Sequence, residues 1–544
     1  MAPIEWALRV VVSTQKALER QAPAPVADDV GPATWIGYFA LCLGMFMAIL
    51  DVQIVASSLP DIQLALHIPA NHLSWIQTAY LIAEVVAIPL TGWLTRLMSL
   101  RGLFVTAIIG FTLSSMACAA SHQFETLLMS RIVQGFCGGA LIPIVFTSVF
   151  TMFPERKHVL ATTIGGLFAM LAPTVGPVLG GYITENYSWH WLFLINVLPG
   201  FAAALAAACL IGTGKPNWQL IRRLDVPALL LIIVCLASLE LALKQGPRHL
   251  WHSGVIALLI VLCPAAGILA IRRCLAAREP IIDMHCFADR NFTVGCLFSF
   301  VLGMGLFGSV YITPLYLGFV KDHTPFEIGK IMVVMGAAQL VTAPFAAMAA
   351  RRFNCLLLTA IGYGVFAAGL ISDAFMTYDT NFDDTDFNDL LWPQILRGAA
   401  LLFCLLPTTS LALEGQPVAR MPNASGLFNL MRNLGGAIGI ALIDIVLEQR
   451  APTHVANLVA RLQAGDVAAA RIVGLPVTLF KEALLRPIDE ATKNMVAPLV
   501  ERAALVQSFN EAWLMLGAIF VLALVALPLM HRLPARASRV APNE

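Results

Sequence analysis

Asp51, Glu84 and Arg131 each sit inside a strongly apolar stretch of the chain, where an ionised side chain is costly. In hydrocarbon that cost is at least about 2.5–3.5 kcal/mol, so each such group marks a candidate site. Asp51 lies about five residues from the end of its stretch, about 8 Å deep at the helical rise, and Arg131 lies about 10 Å deep in another, from the same side. Opposite charge at similar depth predicts an Asp51–Arg131 interaction. A nearby guanidinium keeps the carboxylate charged; moving it away lets the acid take a proton. The competing reading is a static pair that only fixes packing. Glu84 lies deeper, about 16 Å, with no basic residue within a turn. A desolvated, unpaired carboxyl favours its protonated form. Asp51 and Glu84 are therefore the candidate proton-coupling groups, with Arg131 as charge partner. For Glu84 the competing reading is a neutral acid hydrogen-bonded within a bundle.

Other ionisable groups suggest less. Asp373, Glu414 and Asp444 fall near the ends of their stretches, within reach of water or headgroups, where structural roles are expected. Glu240 is placed to pair with Lys244 at i+4. Arg432, beside Asn433 in a Gly-rich stretch, is placed to contact a ligand or a partner carbonyl. Trp75, Tyr80, Phe146, Phe168, Tyr311 and Tyr316 offer rings to a lipophilic ligand, although most such rings face lipid or core. The 11 cysteines form no C-x-x-C pair, so neither a disulfide framework nor a zinc site is expected. From Asp379 the sequence begins like a calcium loop, but Asp384 stands at the required Gly and Leu390 at the required Glu. A solvated acidic loop is expected there, and no metal or cofactor anywhere. Gly214-Lys215 is followed by Pro216 and Gly329-Lys330 by Ile331, so there is no P-loop, and neither H-E-x-x-H nor G-x-S-x-G occurs. The chain is expected not to be an enzyme, and its net charge of +1 carries no nucleic-acid footprint.

The elements that must position these residues are membrane helices. Hydrophobic residues make up 58% and charged residues 12% of the chain, against a soluble norm of about 25% charged. A span needs about 20 apolar residues. Fourteen stretches qualify, near 34–56, 73–95, 102–121, 125–150, 158–184, 190–212, 225–244, 253–273, 292–319, 327–350, 354–376, 391–413, 424–448 and 509–531. Of the 34 Lys and Arg, twenty fall on the side of the two chain ends and four in the short loops and helix ends opposite. Positive charge marks the cytoplasmic side, so both termini are expected there. Ile4 to Gln21, interrupted by Arg9, Lys16 and Arg20, reads as an amphipathic surface helix and not as a cleavable signal.

Span 5 carries Gly165, Gly166, Pro173, Gly176, Pro177, Gly180 and Gly181, a density tolerated only where neighbouring helices close over the backbone. Span 13 carries Gly426, Gly435, Gly436 and Gly439. Arg131-Ile132-Val133-Gln134-Gly135 in span 4 is echoed by Gln394-Ile395-Leu396-Arg397-Gly398 in span 12. Both echoes fit two six-helix halves separated by two inserted spans, and paired Gly/Pro-interrupted spans point to a moving interface. The expected organisation is an N-terminal segment 1–33, a first half 34–212, the inserted helices and linkers 213–290, a second half 291–531 containing a long loop 449–508, and a tail 532–544. Arg397, Arg432 and Asn433 are the candidates for a second-half cavity.

Leu50-Asp51-Val52-Gln53-Ile54-Val55, Thr91-Gly92-Trp93-Leu94, the Arg131–Gly135 motif, Val175-Gly176-Pro177-Val178-Leu179-Gly180-Gly181, Trp189-His190-Trp191-Leu192-Phe193 and Gly426–Asn433 carry a family resemblance. The chain resembles the fourteen-helix drug/proton antiporters of the major facilitator superfamily, in particular their EmrB-type multidrug exporters. That resemblance implies an all-α polytopic membrane protein of the major facilitator fold, with spans 1 and 4 lining a first-half cavity and the inserted spans away from the pathway. It implies proton-driven export of lipophilic small molecules across a bacterial inner membrane, with a periplasmic adaptor and an outer-membrane channel as partners. The Gly-Pro-x-x-Gly-Gly signature implies antiport. One motif departs from the family's G-x-L-x-D-R-x-G-R-R: Arg96 stands where the acid is expected and Ser99 replaces the Gly. Val455, Leu458, Val459 and Leu462 form an i, i+3, i+4, i+7 stripe in the 449–508 segment, expected to lie on the membrane surface or meet the adaptor. An exporter of one metabolite or siderophore, an importer, and a membrane-embedded sensor or enzyme are the alternatives.

Overall fold

Inside a bilayer the backbone must satisfy its own polar groups, which leaves apolar stretches of this length one choice, the helix. The computed structural model of the chain describes residues 30–67, 75–212, 214, 216–246, 251, 253–277, 280–323, 325–376, 385–417, 420–475 and 490–529. Its long helices follow the apolar stretches in order: α1 Pro32–Ser57, α2 Trp75–Met98, α3 Leu100–Ala119, α4 Phe124–Met152, α5 Glu155–Asn186, α6 Val197–Leu210, α7 Val226–Gln245, α8 Gly254–Ala276, α9 Arg290–Phe319, α10 Pro325–Arg352, α11 Cys355–Asp373, α12 Thr385–Leu413, α13 Met421–Gln463 and α14 Glu490–Leu524. A short helix, Trp191–Leu194, leads into α6. Among the described residues, 13 helices are long and apolar enough to cross a membrane, and α5, bent by 43° between Glu155–Pro173 and Val175–Asn186, brings the number to 14. We call the side where α1 begins and α14 ends the terminal face.

The helices pack as two copies of one arrangement. In the first half α1 packs on α4, α5 and α6, α2 on α4, and α3 on α4 and α6. Adding eight to each number gives the packing of the second half: α9 on α12, α13 and α14, α10 on α12, and α11 on α12 and α14. The halves meet through α2 on α13 and α5 on α10, which the same operation exchanges. The echoed motifs of α4 and α12 explain part of this. A Cβ on Gly135 would collide with the Tyr80 carbonyl of α2, and one on Gly398 with the Met335 carbonyl of α10. Each glycine lets two backbones touch at equivalent places. The inserted α7 and α8 pack on each other, and α7 docks on α2.

Two elements depart from expectation. α13 runs 43 residues and continues to Gln463, into the segment 449–508 read from the sequence as loop, and α14 begins inside that segment, at Glu490. The stripe explains the extension: Leu458 is buried against Val473, Val500, Ala503 and Ala504, with Val455 and Leu462 packed beside them. Arg450 bonds Glu511 at 2.6 and 2.9 Å, and His454 bonds it at 3.0 Å, tying the two helices together. The apolar stripe is thus covered by α14 and by the short helix Val467–Ile472, and only Val459 remains exposed. The N-terminal amphipathic segment and Asp379–Asp384 lie outside the described residues.

Candidate functional site

The sequence of α4 places polar residues at i and i+3, and the structure uses both on one carboxylate. Arg131 Nη1 donates to Asp51 Oδ2 in an ion pair whose side chains are wholly buried. Gln134 Nε2 donates to Asp51 Oδ1 at 2.9 Å and to Ser115 at 2.8 Å, and Asn196 Nδ2 donates to Asp51 Oδ1 at 3.0 Å. The guanidinium lies 4.3 Å from the centroid of the Tyr80 ring, and its Nε donates to the Ile76 carbonyl at 3.2 Å. This network joins α1, α2, α3, α4 and the entry to α6 behind the cavity wall. Sequence reasoning paired Asp51 with Arg131 and missed Gln134 and Asn196. The signal for each was a lone amide in an apolar stretch.

Between the halves lies a cavity of ≈ 620 Å³. Val52 and Gln53 of α1, Leu81 and Glu84 of α2, Phe307 and Tyr311 of α9, and Asn429, Arg432 and Asn433 of α13 face it. Glu84 is only 7% exposed. Arg432 has Nε and Nη2 buried with no hydrogen-bond partner among the described residues. Its guanidinium lies 5.4 Å from the centroid of Phe146 and 5.5 Å from that of Phe428, contacts in which ring quadrupoles hold a cation. Tyr311 donates to Asp444 at 2.6 Å on the same wall. Of the six rings singled out in the sequence, Tyr311 alone is among the lining residues.

Three expectations are corrected by the geometry. Arg397 does not line the cavity; it is fully buried in an ion pair with Asp373 at 2.9 Å. Asp373 is consequently not exposed to water or headgroups, because α11 and α12 pack over it. The inserted α7 does face the cavity, with Glu240, Leu243 and Lys244, because it docks on α2 beside Glu84.

The motif of α5 touches both halves. Gly176 leaves room for Gln53 of α1, where a Cβ would collide with the Gln53 side chain. Gly165 sits against Tyr38, and Gly166 against Leu402 and Leu405 of α12. Pro173 is at the bend, Pro177 lines the cavity, and Gly180 accepts from Ser58 at 3.5 Å, with Gly181 buried beyond it.

At the terminal face the halves are closed. Ser425 of α13 donates to the Pro143 carbonyl of α4 at 3.0 Å, and Gly92 packs against Asn423. Arg96, the residue that replaces the family's acid, donates to the Pro280 carbonyl at 2.8 Å and so ties α2 to the approach to α9. Ser99 has φ 69°, and its hydroxyl accepts from Gly102 N to cap α3. The cavity instead runs towards the opposite face, where Gln77, Gln245 and Gly318 form part of its lining near the ends of α2, α7 and α9.

The family model for the Major Facilitator Superfamily matches residues 41–440. The chain belongs to that superfamily. It is 36% identical over 425 residues to the colistin resistance protein EmrB of Acinetobacter baumannii, covering 78% of this chain and 82% of that one. To the multidrug export protein EmrB of Escherichia coli K12 it is 29% identical over 491 residues, 89% and 93% of the two chains. Among solved structures, the human organic anion transporter MFSD10 (TETRAN) superposes with a TM-score of 0.59 at 13% identity, over 91% of this chain and 100% of that one. The proton:xylose symporter XylE gives 0.56 at 12% identity, over 91% and 95%. These superpositions establish the fold. The relatives place this superfamily member in the EmrB-type group, a multi-pass membrane protein of two six-helix halves with two inserted helices.

Proposed function

We propose that this protein exports lipophilic small molecules across a bacterial inner membrane in exchange for protons, by alternating access, with its terminal face in the cytoplasm. The observation that carries this reading is a largely apolar cavity between two pseudo-symmetric halves, closed towards the terminal face and bearing the titratable Glu84. Closure on the cytoplasmic side corresponds to the releasing state. Rocking about the α2–α13 and α5–α10 contacts would open the other side. Asp51 and Glu84 carry the coupling: Glu84 faces the cavity, and Asp51 answers to the position of α4 through Arg131. Arg432 and Asn433 present donors to polar groups of the cargo. The relatives named for multidrug export and colistin resistance support a broad substrate range. The paired extensions of α13 and α14, on the periplasmic side in this orientation, are the proposed contact for an adaptor leading to an outer-membrane channel.

Everted membrane vesicles from a pump-deficient host, acidified inside, test the reading. Vesicles bearing the protein should accumulate ethidium several-fold above control vesicles, and nigericin should abolish the difference. Accumulation equal to control for ethidium and a panel of lipophilic dyes would overturn it.

A further inference from the structure

α7 is an almost wholly apolar helix whose only charged residues are Glu240 and Lys244, at its end away from the terminal face. A helix that served only as a spacer against lipid would gain nothing from a buried carboxyl, which costs at least about 2.5 kcal/mol if charged. Glu240 nevertheless is 4% exposed, faces the cavity, and has its Oε2 buried without a hydrogen-bond partner among the described residues. Glu84 faces the same cavity from α2, the helix on which α7 docks.

We propose that Glu240 of the inserted helix and Glu84 of α2 form a carboxyl pair that holds one proton between them, so that α7 is a working part of the coupling site. This rests on the exporter reading above. Two neighbouring carboxylates in a low dielectric resist ionising together, so the first proton is held tightly. With one proton bound, one carboxyl donates its O–H and the other accepts, which supplies a partner for an orphaned oxygen. Lys244, one turn beyond Glu240, balances the remaining negative charge, so the protonated trio is neutral. Release of the proton leaves a net charge of −1 in the cavity. The other ionisable groups facing this region are Tyr80 on α2, Asp51 on α1, Arg131 on α4, Tyr311 on α9, and Arg432 and Asp444 on α13. Asp51 is occupied by Arg131, and Asp444 by Tyr311, so neither competes for the shared proton.

The test uses the full chain in nanodiscs, treated with dicyclohexylcarbodiimide, which modifies protonated carboxyls in apolar surroundings, across a pH series. Peptide mass spectrometry locates the label. Glu84 labelling should fall in one step with rising pH, and Glu240→Gln should move that step to lower pH by about one unit, a tenfold loss of proton affinity. Glu84→Gln should do the same to labelling at Glu240, and Glu240→Asp should restore most of the parent profile. Unchanged profiles in the amide variants overturn the pair. In proteoliposomes Glu240→Gln should lose uphill ethidium accumulation yet keep downhill exchange, and uphill accumulation at the parent level also overturns it. If the parent itself moves no ethidium, the exporter reading fails, and the labelling result still decides the pair.

Discussion

Asp51 and Glu84 look alike in the sequence, two acids inside apolar helices, but their surroundings separate them. Asp51 accepts from three side chains and neutralises a fully buried arginine. Asp51→Asn would turn an amide N–H towards these donors and leave Arg131 charged and unpaired. Breaking a buried pair costs about 3–5 kcal/mol, so thermal unfolding in detergent should show a large loss of stability. Glu84 faces a cavity and holds no such network, so Glu84→Gln should unfold within a degree or two of the parent while losing uphill transport. Equal stability of both variants would show that the Asp51 network does not hold the first half together. The pairing of Asp51 with Arg131 was legible because charges at matched depth must compensate. The role of Glu240 was not: an i+4 lysine gives a sufficient local account, and only the docking of α7 on α2 brings the residue to the cavity.

Backbone conformation and close approach decide the behaviour of two elements. Ser99 holds φ 69° and ψ 162°, a region costing a side-chain-bearing residue about 1–3 kcal/mol, while its capping bond to Gly102 returns only part of that. Ser99→Gly should therefore raise the unfolding temperature, and a decrease would mean the cap outweighs the strain. At Gly176 the neighbour is Gln53 of α1, so Gly176→Leu should force α5 away from α1. Protein should still reach the membrane while ethidium efflux falls at least tenfold, whereas full efflux would show that α5 need not pack this closely. The Gly/Pro content of α5 announced a bent helix, and the 43° bend lies at Pro173–Val175. The lengths of α13 and α14 were hidden, since apolar windows end at the membrane while side-chain packing carries the helices further.

For the whole molecule, the count of membrane crossings fixes which residues share a face. In a variant without native cysteines, a cysteine at Asn217 should react with an impermeant maleimide only from the cytoplasm, and one at Ala468 only from outside. Both positions are exposed. Labelling of position 217 from outside would break the fourteen-span count and the orientation drawn from it. The two-half architecture was readable from five-residue echoes because glycine at a helix contact serves the same steric purpose in each copy. Which face the cavity serves was not readable, because it depends on contacts such as Ser425 to Pro143 that join residues 282 positions apart.

α13 is a rod of 43 residues, about 65 Å long at the helical rise, roughly twice the thickness of the hydrocarbon layer. One end carries Ser425 and Asn423, which close the terminal face, and the far half runs past the length a bilayer crossing needs, clamped to α14 through Glu511. Geometry makes such a rod a lever. A tilt of about 10° about its middle displaces the tip by about 5 Å. A pair of fluorophores, one near Arg461 and one on a fixed point of the first half, would therefore register each opening of the distant face as a change in energy transfer, without any probe entering the cavity.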